Sequence, residues 1–314
     1  MPGFKTHYFF GQSANVAVNW KYEAAYNIGA QGPDIFFYHV PSYLMYKKNI
    51  GSRIHRENVM AFFRALFTAR CALKSRKNRQ IADAYINGFM SHYILDCIIH
   101  PYIYYRTRGK DEPGEGSYGF GIHVFLETDI DNAVLYHETG KAPTEDRPWD
   151  TIDLSVKEKS VIAFLLHGAI NEVFPDQPVT FGHVVGALTS MYTEQKLMHD
   201  PKGNRKKALR HAEQALFGHA VISPMVPNDN FNKYEDPCNL NHKKWKNPWD
   251  PSKTSDADVF QMMKNGVKLM EKCSDLYFKA MNSVPAGGCP EYFRNINELL
   301  SDLGDCSYLS GLPL

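Results

Sequence analysis

NGFMSHYILDCIIHPYIYY, residues 87–105, is the stretch whose reading decides the fold. His92, Asp96 and His100 recur at every fourth position, so on a helix they share one face a turn apart. Tyr93, Ile94, Leu95, Cys97, Ile98 and Ile99 between them are apolar enough to bury the remaining faces. A carboxylate and two imidazoles on a buried helix are costly unless something satisfies them. A divalent cation does so directly, and zinc accepts imidazole nitrogen and carboxylate oxygen alike.

Working outward, HVFLE repeats the step with His123 and Glu127. Any one His-x-x-x-carboxylate step reads more readily as a hydrogen-bonded pair, and two such steps with a third histidine in register put a metal on level terms with that reading. His7 in the opening aromatic strip, Asp34 in a Gly-Pro-Asp turn and His55 near a helix start complete a set of ligand-type residues. Taken singly, Asp34 also reads as a turn residue and His55 as a first-turn helix residue. The set makes more than one metal plausible. The remaining histidines have no such company and read as core or surface residues, and Cys97 reads as a buried thiol.

The rest of the chain is dominated by helical periodicity. Helices are expected over NVAVNWKYEAAYNIGA, from near Ile54 behind a Ser52 cap, over Ile81–Tyr104 after a basic turn KSRKNRQ, and over Ile122–Tyr136. Further ones are expected over Leu154–Phe174, Thr180–His199, Arg205–Ala220, Asp256–Met281 and Pro290–Asp302. Residues 109–121 (GKDEPGEGSYGFG) read as a polar, glycine-rich loop suited to a lid, or simply exposed to solvent, and 224–255 as irregular. KAPTEDRPWD, 141–150, is the best internal boundary. The fold expected is all-α: one helical domain over 1–314 with long connections, a metal-binding half 1–140 and a helical half 151–314.

With 314 residues, 44% hydrophobic and 22% charged, the chain has the makings of a globular protein with a large core. A net charge of +1 gives no reason to expect long nucleic acids as partners. Its 18 Tyr and 19 Phe belong mostly to the core, with Tyr8, Phe36, Phe37, Tyr38, Tyr93 and Tyr102 near enough to the ligands to border a pocket. No export leader is visible in MPGFKTHYFFGQ, no run is long enough to span a membrane, and six scattered cysteines form no CxxC pair. The expectation is free thiols in a reducing cytoplasm.

MPGFKTHYFFG, GAQGPDIFFYH, GFMSHYILDCIIHPYIYY and HVFLETDID, in this order over residues 1–135, resemble the zinc-dependent phospholipase C family, which is related in fold to the single-strand-specific zinc nucleases. The resemblance implies a multi-helix bundle with a three-metal cluster. His7 and Asp96 would hold one zinc. Asp34, His55, His92 and Asp96 would hold a second, with Asp96 bridging. His100, His123 and Glu127 would hold a third, four residues separating Asp96 from His100 where the family spacing is longer. Exported members also ligate through an N-terminal tryptophan, whereas this chain begins Met-Pro, so two or three zinc ions are expected. The acidic residue that recognises choline has no counterpart here, nor does the lipid-binding β-sandwich of the toxin members.

These observations imply a metal-dependent hydrolase, a phosphodiesterase cleaving a phospholipid or related phosphoester through a metal-activated hydroxide, with Asp34 as ligand or general base. No basic residue interleaves the ligands, and clustered metals remove the need for an arginine clamp. A small phosphoester or phospholipid is the expected partner, with transient contact to a membrane surface. The alternatives are a phosphatase or nuclease on the same cluster, or a non-catalytic helical protein with a structural zinc.

Overall fold

Apolar residues on every face of a helix place it in the interior, and the helix Arg76–Thr107 is built this way. Twenty-one of its 32 residues are buried, all between Ile81 and Ile103. The structure is a computed structural model, and it describes residues 3–44, 48–107, 116–219, 223–227, 234–283 and 289–314. Among these residues the protein is all-α. In chain order the helices are α1 (Phe4–Ser13), α2 (Glu23–Gly29), α3 (Pro41–Leu44), α4 (Ile50–Ile54), α5 (Val59–Cys71), α6 (Arg76–Thr107), α7 (Gly116–Thr139), α8 (Val156–Val173), α9 (Phe181–Met198), α10 (Asn204–Phe217), α11 (Val259–Asn282) and α12 (Pro290–Leu303). The described strand structure is one two-residue antiparallel pair, Trp245–Lys246 with Thr254–Ser255. None of the described helices is long and apolar enough to cross a membrane.

Four boundaries differ from the sequence reading. Residues 15–19 are not helical, and after a 3-10 turn at Trp20–Tyr22 helix α2 starts only at Glu23. KSRKNRQ is not a turn over its whole length, because α6 already begins at Arg76. The helix expected from Ile54 is broken. Ser52 lies inside the short α4, whose cap is the Asn49 side chain accepting from Gly51 N. Asn58 then takes a left-handed conformation, φ 55°, before α5. Asparagine tolerates that region better than most residues. Part of the glycine-rich loop lies outside the described residues, and from Gly116 on the chain is helical.

Close crossings hold the frame around α6. Gly29 of α2 and Gly88 of α6 let two backbones touch: a Cβ on Gly88 would lie 2.1 Å from Tyr26 O, and one on Gly29 2.2 Å from Tyr85 O. Gly88→Ala therefore forces the helices apart, and we expect a cost of roughly 1–3 kcal/mol in denaturant unfolding, typical of overpacking. Unchanged stability would show that the crossing yields without strain. On the opposite side Asp83 of α6 meets Arg70 of α5 at 2.7 and 3.0 Å and accepts from the Tyr277 hydroxyl of α11 at 2.7 Å. This buried ion pair ties three helices together. Helix α1, whose N-cap Gly3 offers no side chain, is capped instead by Asp131 of α7, which accepts from Lys5 N, Thr6 N and Thr6 Oγ1 at 2.6–2.9 Å. A carboxylate at a helix N-terminus is also favoured by the helix dipole.

Residues 304–314 close over the outer face of α6. Pro101, inside α6, has no N–H to give the carbonyl of Cys97. Gly311 lies against that carbonyl, φ +61°, where a Cβ would come within 2.3 Å of the oxygen. Tyr93 OH donates to Gly304 O and accepts from Cys306 N at 3.0 Å.

Candidate metal centre

Five separate places in the chain supply the site. Helix α1 carries His7. The 3-10 turn Gly32–Phe36 carries Asp34, and the break after α4 carries His55. Helix α6 carries His92, Asp96 and His100, and α7 carries His123 and Glu127. Gly32 lies directly over the His92 ring with φ +52°. A Cβ there would come 2.3 Å from His92 Cδ2, so the Gly-Pro-Asp turn approaches α6 only because its first residue has no side chain.

The side chains converge in three groups. His7, His92 and Asp96 form one, Asp34, His55 and His92 the second, and His100, His123 and Glu127 the third, with ligand-type atoms inside each group within 4.8 Å of one another. Asp96 lies between the first two. Its Oδ1 is 3.2 Å from His7 Nε2, while its Oδ2 is 3.3 Å from His92 Nε2 and 3.5 Å from His55 Nε2. Asp34 Oδ1 is 3.2 Å from His55 Nε2. In the third group His123 Nε2 is 2.7 Å and His100 Nε2 3.7 Å from Glu127 Oε1. The three α6 residues thus share a face but point to two places.

These approaches suit an ion better than hydrogen bonding. His55 Nε2, His92 Nε2, Asp34 Oδ1 and both Asp96 oxygens are buried with no hydrogen-bond partner. Donors each about 2.0–2.2 Å from one tetrahedral zinc stand roughly 3.3–3.6 Å apart, close to the separations found. The other ring nitrogens are already committed. Nδ1 of His55 donates to Gly51 O at 2.7 Å, that of His92 to Ala30 O at 3.2 Å and that of His100 to Tyr308 O at 2.8 Å, with the tautomer set by the carbonyl partner. Such contacts turn each Nε2 lone pair toward the centre and raise its basicity.

Electrostatics agrees. Burial pulls the His7 imidazole down to about 4 and those of His100 and His123 well below the usual range, so these rings are neutral donors near pH 7. Burial pushes the Glu127 carboxyl well up. Burial would also raise Asp96, but His100, His92, His55 and His7 around it hold its carboxyl well below its ordinary value. His55 is drawn down by burial yet lifted to about 9 by Asp34 and Asp96 beside it. The centre therefore sets buried carboxylates beside three rings that resist protonation, His7, His100 and His123, and one, His55, that draws a positive charge toward Asp34 and Asp96, a setting that a bound cation relieves.

Two hollows meet at this centre. A cavity of about 550 Å³ is bordered by Asp34 and Glu127, with Phe4, Phe37, Tyr38, Val124, Leu135 and Met191 giving it a mostly apolar wall. A smaller pocket of about 160 Å³ is lined by His55, His100, His123 and Glu127 together with Arg56 and Tyr104. Of the aromatic residues singled out in the sequence, Phe37 and Tyr38 border the cavity. Phe36, Tyr93 and Tyr102 are core, and Tyr8 packs against it.

Two features escaped the sequence reading. Tyr308 supplies a carbonyl to His100, its N–H donates to His55 O at 3.3 Å, and its fully buried ring lies 4.8 Å from that of His55. No pattern in the sequence marks a backbone group. The second is Arg56, adjacent to His55, so a basic residue does stand among the ligands.

The comparison with known proteins follows the same residues. A family model described as zinc-dependent phospholipase C matches residues 6–177, more than half of the chain and all eight converging side chains. None of the curated proteins and none of the solved structures matches the chain. The matched span, the all-helical frame and buried groups arranged as zinc ligands agree: this chain belongs to the zinc-dependent phospholipase C family of metal-dependent hydrolases.

Proposed function

We propose that the protein is a phosphodiesterase of phospholipase C type that holds two or three zinc ions and cleaves a phospholipid or a related phosphoester. The observation that carries this reading is the convergence of eight buried or nearly buried ligand-type side chains where a mostly apolar cavity meets a polar pocket. A structural zinc site is closed by four protein ligands, whereas this centre borders two hollows.

His7 and Asp96 would hold one ion, Asp34, His55, His92 and Asp96 a second, and His100, His123 and Glu127 a third. Bound zinc supplies Lewis acidity and an acidified water. The chain does the rest. The carbonyls of Gly51, Ala30 and Tyr308 keep the rings in one tautomer. Asp96 presents one oxygen to His7 and the other to His92 and His55, the disposition of a bridging carboxylate. Asp34 borders the cavity with Oδ1 turned to His55, which leaves Oδ2 to orient the attacking water or take its proton. The apolar wall excludes bulk water and accommodates the hydrocarbon part of the substrate.

Protein purified without chelator should carry two or three metals per chain by elemental analysis and should hydrolyse phospholipid vesicles in preference to phosphomonoesters and oligonucleotides. One metal or none would sink the cluster. A preference for monoesters or oligonucleotides would reassign the same centre to a phosphatase or nuclease.

A further inference from the structure

The two hollows differ in charge. Besides the ligand carboxylates, the described lining of the large cavity holds Asp131, Asp146 and Glu194 against one lysine, Lys5, which is paired with Asp146. An anionic group gains little there. The small pocket is the reverse. Apart from Glu127, a candidate ligand, its described lining contains no carboxylate, and it contains one arginine, Arg56.

Arg56 is an exposed side chain, whereas the buried and part-buried arginines of the frame are paired. Arg53, three residues before it, is held by Glu57 and Asp176. Arg70 is held by Asp83, and Arg106 by carbonyls of Glu235 and Asp236. Arg56 makes no side-chain hydrogen bond or ion pair among the described residues, and it lines the pocket that exposes His55, His100 and His123. Tyr104 stands in the same pocket. Its ring lies 4.7 Å from that of His123 and 5.8 Å from that of His100. A guanidinium and a phenol O–H beside a metal centre are donors for oxyanions, and guanidinium matches two oxygens of one group.

We propose that Arg56 and Tyr104 form an anion-binding subsite on the small-pocket side of the metal centre, gripping anionic oxygens of the substrate while its hydrocarbon part occupies the large cavity. The proposal deepens the phosphodiesterase reading by giving the substrate a direction. The bound oxygens belong either to the phosphoryl group itself or to a further acid on the departing headgroup. A quaternary ammonium headgroup is disfavoured on this side.

The test uses the intact zinc-loaded protein and the variants Arg56→Gln, Arg56→Lys and Tyr104→Phe, with Arg64→Gln, exposed like Arg56 but outside the pocket, as the control. Inorganic phosphate is the probe, titrated by calorimetry, so the first readout does not depend on turnover. Arg56→Gln should weaken phosphate binding about tenfold or more with metal content unchanged, as expected for losing a charge-assisted contact. Lysine should restore part of it, and Arg64→Gln should change nothing. Turnover on phosphatidylserine and phosphatidylcholine vesicles then separates the sources. An equal rise in KM on both places Arg56 on the phosphoryl group, and a larger rise on phosphatidylserine places it on the headgroup acid. Phosphate affinity within twofold of the parent in Arg56→Gln overturns the subsite. Parent protein without bound metal, or inert toward every phosphodiester, overturns the phosphodiesterase reading instead.

Discussion

The Asp96→Asn protein is expected to fold, to lose metal from the paired His7 and His55 sides of the centre, and to lose activity by about 10³-fold or more, the scale of several kcal/mol of metal-supplied stabilisation. Asp96 is fully buried, and neither oxygen has a hydrogen-bond partner. Each oxygen instead faces imidazole nitrogens at 3.2–3.5 Å. Asparagine keeps the shape but removes the charge and turns one end into a donor, so it cannot hold two ions at once. An alternative account, that Asp96 merely balances a protonated His55, predicts a different result. In that case the variant would keep its metals and lose only stability. Elemental analysis and a phosphodiester assay on the same preparation distinguish the two, and retention of both metal and activity shows that Asp96 is not a bridge.

Much of this centre was legible because its signal is local. Spacing of four on a helix puts His92, Asp96 and His100 on one face whatever surrounds them, and the same holds for His123 and Glu127. The division of that face between two groups was not readable from spacing. It depends on where α1, the Gly32 turn and α7 approach α6, and those approaches are set by packing between residues far apart in sequence. His55 is a clear case. A continuous helix from Ile54 is what the apolar pattern suggests, yet the chain breaks between Ile54 and Val59, with Asn58 left-handed, and the break places His55 beside Asp34. The Gly32 contact on His92 was legible only as a turn signal, because the sequence does not say what a turn leans against. Arg56 was overlooked for the same reason: its neighbour His55 is in the sequence, but its pocket is assembled from α6 and α7 as well.

The deepest gap concerned residues after 150, where no motif stands out, and it leads to a second large expected effect. Removing residues 304–314 should lower metal occupancy at the His100 group about 10- to 100-fold in affinity, the usual consequence of losing a contact that orients a ligating imidazole. It should also destabilise the protein by roughly 3–5 kcal/mol, since a fully buried aromatic residue, Tyr308, goes with it. The segment is a compact loop in its own right, with Ser307 N donating to Leu312 O and Leu314 N to Asp305 O, both at 2.9 Å, and it is fastened to the body by Asn247 Nδ2 donating to Ser310 O at 2.8 Å. It reaches the centre through main-chain groups, the Tyr308 carbonyl on His100 and the Tyr308 N–H on His55 O. The Tyr308 hydroxyl is buried without a hydrogen-bond partner. Tyr308→Phe should therefore be close to neutral in stability and in metal content, while the truncation is not. This contrast separates backbone support from side-chain chemistry. If the truncated protein, still helical by circular dichroism, binds its full complement of metal with parent affinity, then α6 and α7 alone orient His100, and the closing segment contributes packing only.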